Sequence, residues 1–362
     1  MKKYKKILLN PGPANTSLSV KQSQIVDDIC PRVNEFGELM GKIRKELTEI
    51  AGNTLDYSTI LFGGSGTASV ESVIASVISS NDSLIIINNG SYGQRIVDIS
   101  KTYELNYHEF KSDFYKQVDL DLLEKFIIKN KATHIAIIHN ETTTGLLNNL
   151  ERFNNIILKH NLISIIDAMS SFGAIPIDMI SNNIDYLCSS SNKNLQGIAG
   201  VSFVIAKKSS LERIKNYDKK AFYLDLYSQY KYLEENNQTR FTPPVQTIYA
   251  LKQAISELKI ETINKRYSRY QKLWKIINEK LIEIGFKTYI DEEDQSKIIT
   301  LYSLPKNIEF EKLHDYLYEY GITIYPSKFN KTSFRIANIG DLTEEDINFF
   351  LKKIKQFIDE NK

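Results

Sequence analysis

The chain has 362 residues, with 46 lysines and arginines against 44 acids, for a formal net charge of +2. That balance lacks the basic excess of a protein that binds nucleic acid or an anionic membrane. No run of eighteen apolar residues exists, so no membrane span is expected. Two cysteines, Cys30 and Cys188, without CxxC spacing, and five scattered histidines argue for a reducing cytoplasm and against a structural metal site. The opening "MKKYKKILLNPGP" has too short an apolar run before Pro11 for a signal peptide, so the expected location is cytoplasmic. The length suits one large domain plus a smaller one.

Along the chain, "FGGSGTASVES" (62–72) comes first, glycines and small hydroxyl residues opening a helical stretch, "ASVESVIASVIS". A helix start offers unpaired N–H groups and the positive end of the dipole, so Ser65, Gly66 and Thr67 are candidate donors to a phosphate. No GK[ST] follows, which excludes a P-loop, and the pattern of a dinucleotide fingerprint is incomplete. The alternative for this segment alone is a capped glycine-rich turn.

Next come "SLIIIN" (83–88), "THIAIIH" (133–139), "LISIIDA" (162–168), "IDYLCSS" (184–190) and "GVSFVIA" (200–206). They are short, continuous and rich in isoleucine and valine, as strands covered on both faces are. Helical patterns precede the second and third of them, at "LDLLEKFIIKN" (120–130) and "LERFNNIILKH" (150–160). The alternation predicts a mostly parallel sheet flanked by helices, whose ligands gather at the carboxyl ends of the strands. The stretch 251–285 reads as helix with a break near Lys259. Beyond it, "KIITLYSL", "FEKLHDYLYEY", "GITIYP", "SFRIANIG" and "TEEDINFFLKKIKQFI" give strand, helix, strand, strand, helix. The expected division is a large domain over 15–255 and a smaller α+β domain over 256–362, with segment 1–14 joining the active site or the small domain.

Asp167 closes an all-apolar strand, where a carboxylate is part-buried and needs a partner. Lys193 follows the next strand, 26 residues on, among the small neighbours Ser189, Ser190 and Ser191. Desolvation lowers a lysine pKa and makes its amine nucleophilic. Each residue has an ordinary reading too: a strand-end cap for Asp167, a surface loop for Lys193. Together with the helix start at 65–67 they meet the three needs of pyridoxal 5′-phosphate: a phosphate cradle, an acid for its ring nitrogen and a lysine for its aldehyde. Arg335, in "TSFRIANIG", has the fork geometry for a substrate carboxylate, a surface ion pair being the alternative.

"LLNPGP", "CPRVNEFG", "GGSGTAS", "NGSYGQR", "HNETTTG", "IIDAMSSFGA", "SSSNKNLQG", "RFTPPVQT" and "FRIANIG" stand in the order found in class V, fold-type I aminotransferases, and the chain resembles that family over nearly its whole length. The resemblance implies a fold-type I pyridoxal-phosphate-dependent transferase, working as a homodimer with active sites at the subunit interface. It assigns Lys193 to the aldehyde and Asp167 to the ring nitrogen. Ser65, Gly66 and Thr67 fall on the phosphate turn, and Asn192 beside it. Thr142 falls on the ring hydroxyl, Tyr92 on an aromatic stacked on the ring, and Thr242 on a phosphate ligand reaching over from the other subunit. Arg335 and Gly12 fall on the substrate. "CPR…EFG", "ETTTG" and "SSxNKxxQG" resemble members that move the amino group of 2-aminoethylphosphonate to pyruvate, giving phosphonoacetaldehyde and alanine. For the phosphonate, Arg32 is the leading candidate and Arg240 the second, each with a structural alternative. Val33 and Asn34 stand where those members carry a charged pair, and Ala337 replaces a glycine near Arg335. The rival readings are an α-amino acid donor, as in alanine–glyoxylate or serine–pyruvate enzymes, a cysteine desulfurase using Cys30 or Cys188, and a non-catalytic scaffold.

Overall fold

The structure, a computed structural model, describes residues 5–361; the first four residues of segment 1–14 lie outside it. Seven strands form the central sheet: β1 (Tyr57–Gly63), β2 (Leu84–Asn88), β3 (Tyr107–Lys111), β4 (His134–Ile138), β5 (Ile163–Asp167), β6 (Tyr186–Ser190) and β7 (Val201–Lys207). Their order across the sheet is β1-β7-β6-β5-β4-β2-β3. All neighbours pair in parallel except β7, which runs antiparallel to both β1 and β6. Five of the strands are those read from their apolar runs, and every residue of β2, β4 and β6 is buried. Helices on both faces exclude water, so the runs have no polar alternation.

Several helices begin where the chain supplies a local acceptor. Asp119 takes the Leu122 N–H and starts Leu120–Asn130, and Asn149 does the same for Leu150–Lys159 through the Arg152 N–H. The helix Gly66–Val77 differs. Its cap residue Ser65 makes no side-chain capping bond, while Val70, Val73, Ile74 and Val77 bury its inner face. Its first N–H groups are therefore left for something outside the helix.

The stretch read as one helix with a break near Lys259 is two helices, Val245–Glu261 and Ile263–Glu283. They part at Thr262, whose φ is 69° and whose side chain takes the Lys265 N–H. Residue 255 lies inside the first helix, with Ile255 and Leu258 in the core of the large sheet. A second core holds Leu273, Ile277, Phe286, Phe334 and Phe350. It lies on a four-stranded sheet in which Ile299–Ser303 and Ser333–Ala337 are central. "GITIYP" splits into two short strands. Ile322–Thr323 pairs in parallel with Ile7–Leu8, bringing the N-terminal segment onto this unit, and Tyr325–Pro326 pairs with Phe334 and Arg335. Among the described residues no helix is long and apolar enough to cross a membrane.

Candidate active site

The carboxyl ends of the parallel strands open onto a cavity of about 870 Å³. β1 delivers the turn at Gly64 and Ser65, β5 delivers Asp167, and β6 leads into Asn192 and Lys193; all of them line it. Gly66 leaves room for Met169, two residues beyond Asp167: a Cβ there would stand 2.2 Å from Met169 Sδ and would force that side chain to move.

Lys193 and Asp167 therefore face one space. Burial drives the Lys193 amine below the usual lysine range, with Tyr92 and Asp167 opposing the shift and the charges of Arg95 and Arg335 adding to it. Burial pushes the Asp167 carboxyl up, opposed by the Met169 N–H and by the charges of Lys193 and Arg95. Asp167 Oδ1 accepts from Met169 N at 2.9 Å; Oδ2 has no hydrogen-bond donor among the described residues. Gly12 underlies the lysine. Its φ is 131°, and a Cβ there would meet Lys193 Cγ at 3.1 Å, so the LLNPGP segment seats the lysine stem.

Tyr92 begins the helix Ser91–Thr102. The Lys193 amine lies 5.7 Å from its ring centroid and the Arg95 guanidinium 4.7 Å. Burial raises the Tyr92 phenol, but the charge of Lys193, the adjacent Thr142 side chain and the charges of Lys328 and Arg335 outweigh that and bring it below the usual tyrosine value. The helix start is held by Glu141, fully buried. Its Oε2 accepts from Tyr92 N at 3.1 Å and its Oε1 from Thr143 N at 2.9 Å. The neighbouring Thr142 hydroxyl is buried without a hydrogen-bond partner. It lies close to the Tyr92 phenol, but not in hydrogen-bonding geometry.

Arg335 is 4% exposed. Nε donates to Pro326 O at 3.1 Å and Nη1 to Thr142 O at 3.2 Å, which fixes the guanidinium beside Tyr92. Asn192 lines the cavity and accepts from Ser190 Oγ at 3.0 Å. Thr242 stands exposed on the rim of its own chain's cavity.

Two residues expected at the substrate bond to other groups of this chain. Arg32 donates to Thr239 O at 2.5 Å, Arg240 O at 3.1 Å and Gln238 Oε1 at 3.3 Å. Arg240 donates to Phe222 O at 3.0 Å and lies over the Phe222 and Phe241 rings. Neither lines the cavity, and neither do Arg335 and Thr142; Arg32 and Arg240 brace the loop that carries Thr242, the structural alternative noted for each. Cys30 is exposed and does not line the cavity either. Cys188 is buried in β6 opposite Asp167, and burial first, then the Asp167 charge, pushes its thiol well above the usual range. Neither has the mobile, electropositive setting of a reactive cysteine.

Sequence reasoning assigned no role to Arg95, Glu141 or Met169. Arg95 lines the cavity and donates to Thr67 Oγ1 at 3.3 Å. Its place three residues after Tyr92 on the same helix, within the motif NGSYGQR, was the available signal, since i and i+3 share a helix face.

The sheet order, the helix-start turn and a cavity lined by both Lys193 and Asp167 define an aminotransferase-like α/β enzyme. Comparison makes this definite: residues 20–326 match the aminotransferase class-V family, and the chain belongs to it. It is 40% identical over 354 residues to a 2-aminoethylphosphonate–pyruvate transaminase of Bacillus cereus (strain G9842), covering 96% of each chain. It is also 40% identical over 359 residues to a bifunctional phosphonoacetaldehyde hydrolase/aminoethylphosphonate transaminase of Clostridioides difficile (strain 630), covering 97% of this chain and 56% of that longer one. Among solved structures, alanine–glyoxylate aminotransferase from Nostoc sp. superposes with a TM-score of 0.92 at 23% identity, over 98% of this chain and 96% of that one. That likeness shows the fold, and it bears out the expected fold-type I architecture.

Proposed function

We propose that the chain is a pyridoxal-phosphate-dependent transaminase that moves the amino group of 2-aminoethylphosphonate to pyruvate, yielding phosphonoacetaldehyde and alanine. The observation that carries the chemistry is the meeting of Lys193, Asp167 and an uncapped helix start on one cavity. The near-full-length identity to phosphonate transaminases carries the choice of substrates.

The residues present fit the cofactor. Ser65, Gly66 and Thr67 offer hydroxyl and N–H donors for its phosphate, with Arg95 beside them and Asn192 and Thr242 at the edge. Asp167 has an oxygen free for the ring N–H, and the orphaned Thr142 hydroxyl would gain the ring hydroxyl as a partner. Tyr92 offers a flat face. When bound, pyridoxal phosphate supplies an aldehyde that takes up the amino group and a protonated ring that draws electrons from the carbon being deprotonated.

This chain's side chains do the rest. Asp167, a buried carboxylate facing a cation, holds a proton at the ring nitrogen. Lys193 Nζ, its pKa lowered by burial, is the base: it takes the proton from the donor carbon that bears the amine. In the second half-reaction it returns a proton to the carbonyl carbon of pyruvate. Arg335, held by two backbone carbonyls, clamps the pyruvate carboxylate. We also assign a homodimer. Phe222 is 79% exposed and packs with Phe241 beside Thr242, an apolar rim that a second subunit would cover.

The test is a steady-state comparison of 2-aminoethylphosphonate, serine and alanine as donors, with pyruvate and glyoxylate as acceptors. Turnover of the phosphonate with pyruvate is expected. Turnover of serine with none of the phosphonate would replace this reading by that of an α-amino acid transaminase.

A further inference from the structure

Phosphonate recognition presents an unsolved charge problem. A phosphonate carries up to two negative charges on a tetrahedral group of three oxygens, and one arginine fork matches only two coplanar oxygens. Arg32 and Arg240 were the expected helpers, and both are committed to the 238–241 loop and its neighbours. Arg95 sits on the phosphate turn, and Lys193 is reserved for the chemistry.

One further cation reaches this place. Lys328 Nζ lies 4.3 Å from the centroid of the Tyr92 ring, the ring that the Lys193 amine also faces at 5.7 Å. Lys328 makes no ion pair among the described residues. It comes from the 327–332 connection between the strands Tyr325–Pro326 and Ser333–Ala337. Tyr325 is the register partner of Arg335, so the connection begins two residues beyond the strand position opposite Arg335. Its course is fixed. Phe329 stacks on Phe114 of the large unit, with centroids 4.9 Å apart and planes 14° apart. Asn330 Oδ1 accepts from Thr332 N, Thr332 Oγ1 and Ser333 Oγ. A lysine held this way is exposed and lies against Tyr92, a residue that lines the cavity.

We infer that Lys328 is a specificity-determining residue for the donor, pairing with Arg335 to hold the dianionic phosphonate while Arg335 alone suffices for a carboxylate. This deepens the proposed function and rests on it. The two substrates of the proposed exchange use one anion site in turn. Arg335 is common to both, and Lys328, a point charge with three donors, serves the third oxygen and the second charge that pyruvate lacks.

The test uses the holoenzyme and the variants Lys328→Met and Lys328→Arg. Binding of 2-hydroxyethylphosphonate, which has no amine to react, is measured by calorimetry, with lactate as the carboxylate control. The half-reactions with 2-aminoethylphosphonate and with alanine are measured separately. Lys328→Met should weaken phosphonate binding about ten- to hundredfold, the range for a hydrogen bond to a charged group, and leave lactate and the alanine half-reaction within about threefold. Lys328→Arg should restore most of the loss, and melting temperatures should not move, because the side chain is exposed. Unchanged phosphonate binding in Lys328→Met, with the wild type turning over 2-aminoethylphosphonate, overturns the role of Lys328 and leaves the donor reading standing. A wild type that neither binds nor uses the phosphonate overturns both.

Discussion

The buried hydroxyl of Thr142 gives the sharpest check on the cofactor site, because its removal should act with opposite sign in the empty and the loaded protein. Valine replaces the hydroxyl by a methyl of nearly the same volume. In the unloaded chain that hydroxyl is buried without a partner, a state that costs about 1–3 kcal/mol. Thr142→Val should therefore stabilise the apoprotein by about 1–2 kcal/mol. Unfolding entropy is about 2.1 cal/mol/K per residue, which for 362 residues comes to roughly 0.8 kcal/mol/K. The apoprotein Tm should rise by about 1–3 °C. In the loaded protein the same substitution would remove the hydrogen bond proposed between Thr142 and the cofactor, with a net value of about 0.5–1.5 kcal/mol, so its affinity should fall by roughly two- to tenfold. The assay is a pair of thermal melts, with and without pyridoxal phosphate, and a cofactor titration. An apoprotein variant that melts well below the wild type would show that the hydroxyl has a protein partner. Unchanged cofactor affinity would remove Thr142 from the site.

Three further outcomes follow from the same geometry. Lys193→Ala should abolish turnover, and borohydride reduction followed by mass spectrometry should find cofactor attached to the wild-type chain and none on the variant; attachment elsewhere would refute the assignment. Arg32→Ala removes the braces to Thr239 O and Arg240 O. It should lower stability by about 1–2 kcal/mol and slow the phosphonate and alanine half-reactions by the same factor, whereas a loss confined to the phosphonate would put Arg32 on the donor. His139 is buried against Ser171 Oγ, and burial takes its pKa from 6.5 down to about 4. Between those values the unfolded chain binds a proton that the folded one refuses, so this contribution is absent above pH 6.5 and grows more destabilising as pH falls towards 4. It amounts to about 2 kcal/mol between pH 7 and pH 5. His139→Gln should flatten that slope in urea unfolding at the two pH values, and an unchanged slope would show that His139 titrates normally.

What was legible in the sequence follows from where each residue lies on the sheet. Asp167 and Lys193 could be found because two adjacent parallel strands end at them, and a continuous apolar run followed by a charge marks the ligand edge of such a sheet. β3 escaped notice because it is an edge strand, half-buried, and its YHEFK has no apolar run. β1, YSTILFG, is a buried apolar run hidden by the glycine turn it feeds. The two readings of Arg32 could not be separated in the sequence because an arginine in a recognisable motif looks the same whether it holds a ligand or, as here, three acceptors of its own chain. Lys328 was invisible for the opposite reason: no motif surrounds it, and its position depends on one ring stack between Phe114 and Phe329, residues more than two hundred positions apart. Local patterning records the groups that one strand or helix end delivers to the cavity. Lys328 arrives from the second unit outside any motif, so its place depends on the packing of two cores, and it is the charge that distinguishes a doubly charged donor from a singly charged one.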